Sequence, residues 1–85
     1  PGNGTISVDG KLADLTKNEL KILQILFEHQ GHDVSRESIM TKLWESDSFV
    51  DDNTLTVNIT RIRRKLEGLG VENFIITKKG LGYMV

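Results

Sequence analysis

Thr54, Val57, Asn58 and Arg61 stand at i, i+3, i+4 and i+7, a spacing that gathers four side chains on one side of a helix. Each is short or shaped for a nucleic-acid groove. Arg pairs bidentately with guanine N7 and O6, Asn pairs with adenine, Val meets a thymine methyl, and Thr reaches a phosphate or a base edge. Arg63, Arg64 and Lys65 follow at once, so that with Arg61 four cations crowd the second half of the segment, where they can neutralise phosphates. The plainer reading is a solvated polar face whose cations favour a helix C-terminus. The surrounding elements decide between the two.

On the other side of the same segment Leu55, Ile59, Ile62 and Leu66 recur at spacings of four, three and four residues, which predicts a core-facing stripe. A helix is expected from a cap at Asp51 or Asp52 to about Glu67, ended by Gly68 and Gly70. Two helices precede it. Thr16 and Glu19 form a capping-box pair ahead of Leu20, Ile22, Leu23, Leu26 and Phe27, with Gly31 as the stop after Gln30. Ser35 starts a shorter helix whose apolar face is Ile39, Leu43 and Trp44. Glu45 to Asp51 lacks a helical period and reads as a loop. The stretch from Thr5 to Asp14 alternates weakly around Asp9-Gly10, and Phe74 to Val85 holds two β-favouring runs around Lys79-Gly80-Leu81-Gly82, so each predicts a hairpin. The expected class is α+β: a short hairpin, three helices and a C-terminal hairpin, in one domain over residues 1–85.

Composition supports one domain and narrows the chemistry. At 85 residues, 38% hydrophobic and with a single Pro, the chain can build one core and not two. Its longest apolar stretch, Ile22 to Phe27, is broken by Gln24 and is too short for a bilayer, so no membrane partner is expected. The lack of cysteine excludes disulfides and thiolate metal sites and is compatible with a reducing cytoplasm. The Pro1-Gly2 opening without Met suggests a processed or excised piece. Net charge is only −1, but residues 1–52 hold five Lys/Arg against ten Asp/Glu, and residues 53–85 hold six against two. That polarity fits a domain with one anion-facing side, although exposed helices also carry uneven charge. His29 and His32 straddle Gly31 with no third ligand near, so no metal is expected. Gly80-Leu81-Gly82 lacks the third Gly and the following helix of a dinucleotide site, and no nucleophile constellation or phosphate-loop lysine is present. No cofactor and no enzyme activity are expected.

Three motifs carry a resemblance: Leu15-Thr-Lys-Asn-Glu-Leu20, Val57-Asn-Ile-Thr-Arg-Ile-Arg-Arg-Lys-Leu66 and Ile76-Thr-Lys-Lys-Gly-Leu-Gly-Tyr83. From Leu15 to Val85 the sequence resembles the C-terminal effector domain of the OmpR/PhoB family of two-component response regulators, a winged helix-turn-helix. Trp44 to Leu66 also resembles the BceR/GraR branch, associated with cell-envelope antibiotic sensing. The resemblance implies sequence-specific binding of promoter DNA, with the third helix in the major groove and the hairpin as a wing.

Further roles follow from the resemblance alone. Lys79 matches the wing residue that enters the minor groove, where the family often has Arg. Thr77 and Tyr83 match wing positions that hold backbone phosphates, with strand packing as the alternative. Trp44 matches a position whose indole donates to phosphate, with a core role as the alternative. Arg36 matches a phosphate contact, with a solvated side chain as the alternative, while Asn53 and Thr60 replace commonly basic residues. Glu45 to Asp51 corresponds to the loop that contacts RNA polymerase. The parent chain would carry an N-terminal receiver domain, absent from these residues, whose phosphorylation promotes pairing of two copies head to tail on a direct repeat. Such a protein would be cytoplasmic. A winged helix used only for protein contact is the competing reading.

Overall fold

Asp9 and Gly10 hold φ angles of 50° and 83°, the left-handed backbone that a two-residue hairpin turn requires. They join β1 (Gly4–Val8) to β2 (Lys11–Leu15) in an antiparallel pair, with Ile6 opposite Ala13. The computed structural model describes residues 4–85, and Pro1-Gly2 lies outside them. After the hairpin come α1 (Lys17–Glu28), β3 (Val34–Ser35), α2 (Arg36–Glu45), α3 (Asp52–Gly68), β4 (Ile76–Lys78) and β5 (Gly82–Met84).

Each helix begins where its capping chemistry predicts. Thr16 Oγ1 accepts from the Glu19 N–H at 3.2 Å, and Glu19 Oε1 accepts from the Thr16 N–H at 2.8 Å, closing the capping box. Ser35 caps α2 through the Ser38 N–H, and of the two candidate aspartates Asp51 caps α3 through the Thr54 N–H.

Ile22, Leu23, Ile25 and Leu26 of α1, Ile39 and Leu43 of α2, and Leu55, Ile59, Ile62 and Leu66 of α3 interlock as the core, with Leu15, Val50, Ile75 and Tyr83 closing it. Two apolar residues depart from expectation. Phe27 is half exposed, because its ring lies at the edge of the core against Phe74, 5.5 Å between centroids. Trp44 follows Leu43 by one residue and so points about 100° away from it; it is 55% exposed rather than part of a buried face.

The two-residue strand β3 is a feature the sequence pattern does not announce. It pairs with β5, so the C-terminal ribbon is a three-stranded sheet in the order β3-β5-β4, with Val34 opposite Tyr83 and Ser35 opposite Gly82. Gly82 makes that approach possible. Its φ is 154°, and a Cβ there would lie 1.9 Å from the Val34 carbonyl oxygen. The wing is therefore tied to the start of α2, although two short strands alone are marginal in water.

Candidate nucleic-acid interface

The surface of α3 divides into four strips when its side chains are followed outward. Leu55, Ile59, Ile62 and Leu66 face the core. On the far side Thr54, Val57, Arg61 and Arg64 are exposed, with Val57 presenting 44% of its surface. The ion pairs among the described residues join Arg36 to Asp52 and Lys65 to Glu19, so Arg61 and Arg64 stand outside them. A bare β-branched residue between a hydroxyl and two unpaired guanidinium groups is costly to solvate well and well suited to base-pair edges.

Asn58 does not share that face. It is 5% exposed, and its Nδ2 donates to the Thr54 carbonyl at 2.8 Å. At about 100° per residue, position 58 lies about 70° from the centre of the apolar stripe and follows it inward in the free domain, so the expected pairing of Asn58 with adenine would require the amide to leave the Thr54 carbonyl. Lys65 falls on the same flank. Its Nζ donates to the Asp14 carbonyl at 2.8 Å and to Glu19 Oε1 at 2.5 Å, which ties it to β2 and α1. Glu19 is fully buried. Burial pushes its carboxyl upward, but the Lys65 hydrogen bond, the Thr16 N–H and the Lys65 charge together outweigh burial and hold it below the usual value of 4.5. The capping box gives a local reason for Glu19. Its partner 46 residues away was invisible in the sequence.

The opposite flank of α3 faces the wing. Arg63 Nη2 donates to the Ile75 carbonyl at 3.0 Å and to Thr77 Oγ1 at 2.5 Å, and the guanidinium lies 5.9 Å from the Tyr83 ring centroid. Tyr83 is buried on the central strand, and its hydroxyl accepts from Arg36 Nη1 at 2.5 Å. Arg36 also donates through Nε to Asp52 Oδ1 at 2.9 Å and through Nη2 to the Asp52 carbonyl and Thr56 Oγ1. The hydrogen bond to Asp52, against partial burial, raises the guanidinium above its ordinary value, so it stays cationic throughout. Arg36, Arg63, Thr77 and Tyr83, each expected at a phosphate, thus direct polar groups toward one another. The bond between Asp52 and Arg36 had no signal in sequence, because Asp52 looked like an alternative cap.

At the tip of the wing, Lys79 and Leu81 are exposed beside Gly80, whose φ is 78°. Between the tip and the start of α2 runs an open groove of about 620 Å³ lined by Ser35, Arg36, Lys78, Lys79 and Leu81 among others. The α2–α3 connection presents an aromatic ring beside the exposed acids Glu45, Asp47 and Asp51: Phe49 is 75% exposed and lies 6.2 Å from the Trp44 ring of α2 between centroids. Trp44 Nε1, expected at a phosphate, donates to the Val50 carbonyl at 3.2 Å in the free domain. Lys21 of α1 braces the connection through the Ser46 carbonyl and Ser48 Oγ. Among the described residues no three His, Cys, Asp or Glu side chains gather as a metal site, and no helix is long and apolar enough to cross a membrane.

Comparison with known proteins agrees with this arrangement. Residues 10–85 match the family described as "Transcriptional regulatory protein, C terminal". The chain is 50% identical over 70 residues to the response regulator protein GraR of Staphylococcus aureus (strain MRSA252), covering 82% of this chain and 31% of that protein. It is 47% identical over 79 residues to the sensory transduction protein BceR of Bacillus subtilis (strain 168), covering 93% and 34%. The chain therefore spans about a third of the length of the curated relatives it matches. The C-terminal domain of the nisin resistance regulator NsrR, a lantibiotic response regulator, superposes with a TM-score of 0.87 at 47% identity, over 95% of this chain and 82% of that one. The DNA-binding domain of E. coli CadC superposes at 0.84 with 24% identity, over 95% and 77%, and so shares the fold. Taken with the three helices, the small antiparallel sheets and the motifs of α1, α3 and the wing, these matches place the chain in the transcriptional regulatory C-terminal family, as a winged-helix DNA-binding output domain of the OmpR/PhoB response-regulator type.

Proposed function

We propose that the domain binds double-stranded promoter DNA with sequence preference, laying α3 in the major groove while the wing engages the adjacent minor groove and backbone. The observation that carries this reading is the outward strip of α3: the side chains of Thr54, Val57, Arg61 and Arg64 are exposed and make no hydrogen bond within the described residues, whereas Arg63 and Lys65 bond to the wing and to Glu19. Arg61 reads guanine N7 and O6, Val57 meets a thymine methyl, and Thr54 reaches a base edge or phosphate. Arg64 and Lys79 neutralise backbone charge, Lys79 from within or beside the minor groove. Asn58 supports α3 from inside rather than reading adenine.

In the parent chain, a receiver domain would control pairing of two copies on a direct repeat, and each added module gains from the effective concentration set by the first. The exposed Trp44–Phe49 pair beside Glu45 and Asp47 offers an amphipathic surface for RNA polymerase. Selection of bound duplexes from a randomised pool, followed by titration of the winner against salt, tests the reading. An enriched motif with affinity falling steeply as salt rises supports it; equal, salt-insensitive affinity for winner and pool refutes it and favours a protein-contact role.

A further inference from the structure

We infer that Arg36 and Arg63 are positioning residues, holding Tyr83 from two different helices and so fixing the wing against α3, rather than groups that pair with DNA phosphates. This inference rests on the DNA-binding reading above. A guanidinium carries five N–H donors in a rigid fork. Arg36 gives four of its hydrogen bonds to Asp52 Oδ1, the Asp52 carbonyl, Thr56 Oγ1 and the Tyr83 hydroxyl, and the Asp52 carboxylate offsets its charge at 2.9 Å. Little donor capacity or field remains for a phosphate.

Arg63 meets the same ribbon from α3. Thr77, which accepts from Arg63, is the direct cross-strand partner of Tyr83, and both guanidinium centres lie within 6 Å of the Tyr83 ring, at 5.7 and 5.9 Å. Tyr83 in turn sits on β5, between β3 and β4. The wing strands are only three residues each, too short to hold an orientation alone. Two cations from α2 and α3 converging on one buried aromatic of the central strand give the wing a fixed bearing, so that a groove-bound α3 delivers Lys79 to a set distance along the duplex.

The test uses the 85-residue chain and the duplex it enriches from a randomised pool. Arg63→Gln is predicted to weaken binding about tenfold with the salt slope unchanged, since no phosphate contact is lost. Arg63→Lys keeps the charge but lacks the planar fork, and is predicted to fail as Gln does. In the Arg63→Gln background, Lys79→Ala should cost nothing further, because the wing is already misdirected, while Arg61→Ala keeps its full penalty. A salt slope lowered by about one, or recovery with Lys, makes Arg63 a phosphate contact and overturns the inference. So does a Lys79→Ala penalty that persists undiminished in the Arg63→Gln protein, the pattern of general destabilisation. Lys79→Ala without effect in the parent protein is a separate result: it overturns the wing contact itself and leaves the clamp with nothing to aim. Parallel tests with Arg36→Gln and Arg36→Lys are predicted to follow the same pattern.

Discussion

Arg61 and Arg64 on one side of α3, and Arg63 and Lys65 on its two flanks, are neighbours in sequence with opposite fates in the fold. The outer pair projects from the helix without an acceptor of the protein's own. The flanking pair hydrogen-bonds within the protein, Lys65 toward β2 and α1 and Arg63 toward the wing. The difference teaches that a basic run is not a uniform electrostatic patch. At about 100° per residue, the four basic positions face three directions, and only one of those leads away from the protein's own acceptors. Mutations should therefore separate stability from binding along a five-residue stretch.

The largest expected effect lies where the wing meets the helices. Gly82→Ala puts a Cβ into the Val34 carbonyl, and an obstruction by backbone cannot be relieved by a rotamer change; a loss of about 4 kcal/mol, read by urea unfolding, is expected. Lys65→Ala comes next. It leaves the Glu19 carboxylate buried without its cation, with an expected loss of about 2–3 kcal/mol, reduced from the fully buried case because Lys65 is partly exposed. Arg64→Ala, one residue earlier, should leave unfolding unchanged and lower the salt slope of DNA binding by about one. Arg61→Ala should cost about 1–3 kcal/mol on the selected duplex and much less on random duplex, measured by competition titration.

The smallest effect is in acid. Because the folded Glu19 carboxyl is held below 4.5, the folded protein binds fewer protons than the unfolded chain as pH falls through that region. Its contribution is complete above 4.5 and is lost as pH drops through the lowered folded value. Thermal midpoints followed from pH 7 to pH 3 should therefore fall, and Glu19→Gln should flatten the acid limb while lowering the neutral plateau.

Local chemistry made much of this fold legible in the sequence. Caps at Thr16 and Ser35, the turn at Asp9-Gly10 and the Leu55–Leu66 stripe all depend on residues within a few positions of each other, and the elements form there. Long-range partners were not legible. β3 is too short to show alternation, and Glu19–Lys65, Arg36–Asp52 and Arg36–Tyr83 join residues far apart in the chain. At the candidate site the same limit applied: periodicity located the outward strip, but it also admitted Asn58, whose angular position is intermediate and whose direction was settled by the Thr54 carbonyl one turn earlier. The wing residues Thr77 and Tyr83 were recognisable by motif, while their engagement by two guanidinium groups required the tertiary fold.

Backbone amide shifts, recorded while a selected duplex is titrated into the labelled 85-residue chain, locate the bound surface residue by residue. The predicted result is a continuous footprint over Thr54, Val57, Arg61 and Arg64, extending to Lys79 and Leu81, with Leu12 and Phe27 unmoved. A footprint centred on the N-terminal hairpin or on the Trp44–Phe49 connection, with Thr54 to Arg64 silent, would contradict the reading of α3 as the element that enters the groove.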